Sequence, residues 1–327
     1  MNDVNTEDTP VTTSVKVIAS IAPRINLAFQ QNAVPVIAEL RIQNETEREL
    51  SDVTISIGSV PPVVQPKVLR IDRVRAGGTH HVSLVDLTLD PGILVELREA
   101  TKAKLTVKVA DTAGPVATIE HDIDMLTPNH WAGMSAAPEL IAALVQPNDP
   151  SVDAVLRIAS AKLSSAGRAP GIDGYTSGLK MRAWEIAEAI WAALVDQNIA
   201  YVLPPASFEQ EGQKIRFPSD ILDRKVGTCL DLTLLYAACL EQAGLNPVIV
   251  LTQGHAFAGV WLKDEDFSLP VIEDAQTLRK RLGLEEMVCV ETTLIGKYLS
   301  YLRTLDHVIM KKIKCLKVHT DELTLYD

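Results

Sequence analysis

Three side chains in this sequence have the types and setting for nucleophilic chemistry: Cys229, His255 and Glu291. A thiol attacks carbonyl carbon as its thiolate, so it needs a base to take its proton and an acceptor to orient that base. Cys229 follows Gly227-Thr228 and opens the apolar run Leu230-Asp231-Leu232-Thr233-Leu234-Leu235-Tyr236, which reads as a buried helix. Gly244 and Asn246-Pro247 supply its stop. Thr228 is the expected N-cap, with Asp231 three residues later as an Asp variant of the capping box. Cys229 then lies in the first helical turn, where unpaired N–H groups and the helix dipole favour an anion and hence the thiolate. Gly227 lets the chain approach a substrate closely. His255 opens a strand-like run, residues 255–262, after the apolar strand 248–251; Glu291 falls near the end of a third run, 287–293. A cysteine at a helix start can meet a histidine and an acid carried on successive strands.

The elements that must hold these groups divide the chain in two. Residues 14–127 read as β structure, with a first strand at 15–19 and period-two alternation at 36–42, 53–57, 81–87 and 104–109. Turn-formers such as Asn44-Glu45-Thr46 separate these runs. This is the pattern of antiparallel sheets with one buried face. An immunoglobulin-like β-sandwich over 14–130 is expected, although the Cys and Trp core marks of that fold are absent. Residues 92–101 read as a helical interruption. The period then changes: helices are expected at 137–144, 149–164 (Pro150 near the first turn) and 179–198, with loops at 165–178 and 201–212. The boundary is placed at 127–135, so that 131–327 forms the second domain of an α+β chain.

The motifs Gly227-Thr228-Cys229-x-Asp231, Gly254-His255-Ala256-Phe257 and Val290-Glu291-Thr292-Thr293 resemble, in that order, those of the transglutaminase-like (papain-type) thiol superfamily. Ile215-Arg216-Phe217-Pro218 through Val226-Gly227 is similar to the approach to its cysteine. Glu291 stands where aspartate is usual. The resemblance implies a Cys-bearing helix packed on an antiparallel sheet. It also implies a mechanism in which His255 takes the Cys229 proton, Glu291 holds the imidazole and the Cys229 backbone N–H receives the oxyanion. Gln213 and Gln253 are the candidates for a second oxyanion donor. No cofactor is implied.

The whole chain also resembles the N-terminal region of large bacterial proteins that continue into a superfamily 1 helicase. That resemblance rests on Gln31-Asn32-Ala33-Val34-Pro35, Pro147-Asn148-Asp149-Pro150, Pro204-Pro205-Ala206-Ser207-Phe208-Glu209 and the triad region. By it, the chain is expected to be part of a longer polypeptide with a covalently linked helicase as partner.

Plainer roles compete at each position. Cys229 and His255 could be core residues, Asp231 a cap with no part in the chemistry, and Asp274, Glu273 or Glu286 the acid in place of Glu291. Cys239 and Cys289 read as packing residues, as do Trp184, Trp191 and Trp261 in the core or a groove wall. His80-His81, beside Gly77-Gly78, reads as an exposed turn. A metal site on Cys229, His255 and Glu291 lacks a fourth ligand of suitable spacing.

The formal net charge of −11 argues against a broad nucleic-acid or anionic-membrane surface, since both require clustered Lys and Arg. The basic stretch Met310-Lys311-Lys312-Ile313-Lys314 reads as a solvated edge. The polar, acidic start, residues 1–13, lacks the features of a secretory signal and reads as a disordered lead-in. Four cysteines without CxxC spacing (Cys229, Cys239, Cys289, Cys315) suit a reducing compartment, so a cytoplasmic location is expected. The expected function is thiol-dependent hydrolysis of an amide or peptide bond in a protein or peptide substrate, with the β domain binding substrate or partner. The alternatives are acyl transfer or deamidation at glutamine, and a catalytically weak recognition module.

Overall fold

The computed structural model describes residues 14–83 and 85–297, so the stretches 1–13 and 310–314 and Cys315 lie outside it. The chain divides into two compact units between Pro128 and Asn129.

The first unit contains β1 (Val15–Ile21), β2 (Arg24–Ile25), α1 (Leu27–Gln31), β3 (Ile37–Asn44), β4 (Leu50–Val60) and β5 (Lys67–Val74). After these come β6 (Thr79–Val82), α2 (Pro91–Glu96), β7 (Thr101–Asp111) and β8 (Gly114–Met125). They form two sheets, of order β1-β3-β6 and β2-β8-β7-β4-β5. Alternation explains the strands: Ala103, Leu105, Val107 and Val109 of β7 are buried while Lys102, Lys104 and Lys108 face out. The sequence reading overran at 81–87. The ladder of β6 on β3 ends at Leu40↔Val82. From there the chain turns to bond the 63–65 segment instead, through Gln65 N–H to Thr88 O and Asp90 N–H to Val63 O. His80 and His81 lie in β6 and not in a turn. The helical interruption is six residues, capped by Asp90 and finished before β7 begins at Thr101.

The second unit begins with β9 (His130–Trp131), a 3₁₀ helix (Pro138–Leu144), α3 (Pro150–Ser165), α4 (Lys180–Val195), β10 (Ala200–Tyr201) and α5 (Phe208–Glu211). It continues with β11 (Gln213–Lys214), α6 (Pro218–Arg224), β12 (Val226–Gly227), α7 (Cys229–Gln242), β13 (Pro247–Thr252) and β14 (His255–Trp261). Its last elements are α8 (Ala275–Gly283), β15 (Met287–Val290) and α9 (Leu294–Lys297). α7 is buried at every position from Cys229 to Leu240, because α3 and α4 pack on one side and the sheet β13-β14-β15 on the other. Such all-round burial is why its sequence is apolar without a polar stripe. Among the described residues, no helix is long and apolar enough to cross a membrane.

Two glycines fix the path toward the site. Gly212 has φ of 79° and Gly133 has φ of 86°. A β-carbon on Gly212 would collide with the Trp131 carbonyl, and one on Gly133 with the Gln210 carbonyl. Both clashes are with backbone, so the antiparallel pairing of β11 with β9 depends on these residues having no side chain.

Candidate active site

The nucleophile end is built by local hydrogen bonding. Thr228 Oγ1 accepts from Asp231 N–H at 3.2 Å, and the Asp231 carboxylate accepts from Thr228 N–H at 2.9 Å, closing both halves of the capping box. Asp231 is fully buried, and its carboxylate also accepts from the Arg216 backbone N–H (2.9 Å) and guanidinium (2.7 Å). The cap thus ties the start of α7 to the segment before α6. It leaves the N–H groups of Cys229 and Leu230 in the first turn, where a helix supplies no acceptor of its own. Asp231 is spent on this scaffold. Gln213 Nε2 donates to Thr228 Oγ1 at 2.9 Å, so that amide braces the cap, while its Oε1 is buried without a partner among the described residues. Gln253 is exposed in the tight turn between β13 and β14.

His255 is the first residue of the central strand β14, and Glu291 follows the last residue of β15, which pairs with β14. His255 Nε2 and Glu291 Oε2 are 2.7 Å apart. The imidazole also contacts the Cys229 side chain. These two neighbours, Cys229 first and Glu291 second, hold the imidazolium up to about 9 despite partial burial. Burial pushes the Glu291 carboxyl up, but bonds from His255 and from Thr293 N–H (2.9 Å) and Oγ1 (2.6 Å) outweigh it and hold it below the usual range. Glu291 is therefore pinned by one oxygen and presents the other to the ring. Of the three competing acids, Asp274 caps α8, Glu286 pairs with Lys263 and Arg281, and Glu273 is exposed in the segment before α8. Burial pushes the Cys239 thiol far up and Cys289 to about 12, so neither is set for nucleophilic work.

One residue with no sequence motif lies at the site, and a second shares the nucleophile's apolar cluster. Parallel pairing of β10 with β12 sets Tyr201 opposite Gly227, two residues before the nucleophile. Its hydroxyl contacts Cys229, and burial first, then the neighbouring Cys229 and Glu291, raises its pKa. Trp131, 1% exposed, shares an apolar cluster with Cys229, and its indole N–H is buried with no acceptor among the described residues. Neither has a local motif: Tyr201 reaches the cysteine through the pairing of β10 with β12, and Trp131 joins the cluster from β9, which pairs with β11. Cys229 itself is 0% exposed. A substrate carbonyl reaches the sulfur only after a neighbouring side chain moves. No curated protein matches the chain. Residues 175–274, which carry Tyr201, Cys229 and His255 and stop short of Glu291, match a family model described as a transglutaminase-like domain.

Proposed function

We propose that this chain is a thiol hydrolase of amide or peptide bonds working through Cys229, His255 and Glu291. One observation supports this above the rest: His255 meets the Cys229 side chain while bonded to the Glu291 carboxylate at 2.7 Å. In the proposed reaction His255 takes the thiol proton and the sulfur adds to the substrate carbonyl carbon. The resulting oxyanion is received by the first-turn N–H of Cys229. His255 returns the proton to the leaving amine, which departs to leave a thioester. Water, giving a proton to His255, then adds to the thioester and expels Cys229. Glu291 keeps one tautomer of the ring in place and stabilises its charge between the steps.

The first unit is read, in the same proposal, as an immunoglobulin-like module that binds substrate or partner, and the helicase link remains an expectation of the resemblance.

The test is alkylation of Cys229 by iodoacetamide at neutral pH, followed by mass spectrometry, alongside a peptide-library digest. Selective alkylation that His255→Ala abolishes, and new amino termini absent with Cys229→Ala, are the expected results. A Cys229 that reacts no faster in wild type than in His255→Ala overturns the reading. An amine acceptor in place of water gives transamidation, so incorporation of a labelled amine without new amino termini replaces hydrolysis by transfer.

A further inference from the structure

The sheet beneath the triad has an unpaired edge, and the groove beside it has a defined chemistry. In the order β13-β14-β15, β13 has no partner on its outer side among the described residues. The bond from Trp261 N–H to Asn246 O, in register with the β13–β14 ladder, fixes its phase. The backbone groups of residues 246, 248, 250 and 252 therefore face β14, and those of Ile249 and Leu251 face outward. An edge of this kind is a template for another extended chain.

Along it runs a groove of about 800 Å³, closed on its far side by the 3₁₀ helix and the segment 266–274. Its floor is apolar, from Val248 to Leu251 and Trp261, and Leu269 stands 61% exposed at its rim. Its charged residues are all acidic: Glu139, Glu209, Glu241, Asp266, Glu273 and Asp274 line it, with no Lys, Arg or His. Glu209 is distinct from the others, being 5% exposed with Oε2 buried and unpartnered among the described residues. A buried carboxylate oxygen without a donor is costly, and a cationic donor relieves it most strongly. The alternative, a solvated acidic surface on an acidic protein, accounts for the five other carboxylates but not for the buried one.

We infer that this groove docks an extended polypeptide with alternating apolar and basic residues, which adds to β13 as a fourth strand and places a Lys or Arg against Glu209. Its main-chain groups pair with Ile249 and Leu251, and its apolar side chains cover Val248 and Leu269. β13 ends at Thr252, the register partner of His255, so a segment lying along the edge leads toward the triad. The docked chain is thus the substrate polypeptide; this role rests on the thiol-hydrolase reading, while docking itself does not.

The experiment uses the full chain carrying Cys229→Ala, so that binding is measured without turnover. Fluorescence anisotropy follows a labelled alternating Val/Lys peptide of about eight residues, enough to span the edge at about 3.3 Å per residue. The expected result is saturable binding, weakened at least tenfold by Glu209→Gln and by exchanging Lys for Glu in the peptide. N-methylation of one alternate set of peptide amides should abolish binding while the other set is tolerated, and this arm perturbs only the ligand. Equal affinity for the acidic peptide, indifference to Glu209→Gln, or equal tolerance of both methylation patterns overturns the inference. So does a self-associated form, seen by sedimentation, that excludes the peptide, for it assigns the edge to a second copy. Absent binding refutes the docking site and leaves the Cys229 alkylation result standing. Failed alkylation with intact binding refutes the triad and leaves the groove.

Discussion

Replacing Glu291 by glutamine changes one atom and tests how the imidazole is held. Glu291 Oε1 accepts from the Thr293 backbone N–H, which can only donate, so the amide oxygen of glutamine takes that place. The amide NH₂ then faces His255 Nε2, where a carboxylate oxygen sits 2.7 Å away in the native protein. Two effects follow. A hydrogen bond to a charged partner contributes about 1.5–3 kcal/mol. At about 1.4 kcal/mol per pKa unit, its loss lowers the imidazolium by roughly 1–2 units. Side-chain exposures of 32% for His255 and 19% for Glu291 place the effect in the lower half of that range. The amide also donates to Nε2, so the neutral ring carries its proton on Nδ1 and cannot take one from the thiol through that nitrogen. In a serine-protease triad the equivalent acid-to-amide change costs on the order of 10⁴ in kcat. The assay is ¹H–¹³C NMR titration of the His255 ring. The wild-type midpoint is expected near the value of about 9, and that of Glu291→Gln lower by roughly one unit, with alkylation of Cys229 suppressed. A midpoint within about half a unit of wild type would refute the pairing of Glu291 with the imidazole.

The same ring couples stability to pH. Its folded pKa is raised, so its contribution is fully present below about 6.5 and is lost as pH rises through about 9; thermal melts from pH 6 to 10 should show this slope in wild type and not in His255→Gln. Asp231→Ala strands Thr228 N–H, Arg216 N–H and the Arg216 guanidinium. Because Arg216 is 36% exposed and can turn to water, the cost is put at about 2–4 kcal/mol, read by chemical denaturation. Tyr201→Ala removes the hydroxyl that contacts the buried thiol. Cys229 should then be alkylated several-fold faster at unchanged far-UV circular dichroism, and a slower rate would make Tyr201 a positioning residue in place of a cover.

Legibility followed the range of the interactions. The start of α7 was readable because Thr228, Cys229 and Asp231 span one turn, and the box closes within it. β4 and β7 were readable because each buries every second side chain. β5 was passed over because it is an edge strand whose sequence, Lys67-Val68-Leu69-Arg70-Ile71-Asp72-Arg73, leaves even Val68 58% exposed. β8 has no clear signal in the sequence, because Gly114-Pro115 reads as a turn and its outward positions carry charge. The run 81–87 alternates well, yet among its described residues only His81 and Val82 pair with a strand.

The sequence by itself determined the chemistry on offer: a thiol at a capped helix start, a histidine opening one strand and an acid ending another. These are properties of residue type and near neighbours, settled by torsions and by hydrogen bonds within a few residues. Only the tertiary structure decided that His255 meets Glu291 across a strand pair, that Tyr201 comes to the cysteine, and that, among the described residues, β13 has a bare edge and Glu209 is buried without a partner. Each of these depends on which surfaces pack together, and packing is a balance over the whole unit that no local window of residues contains.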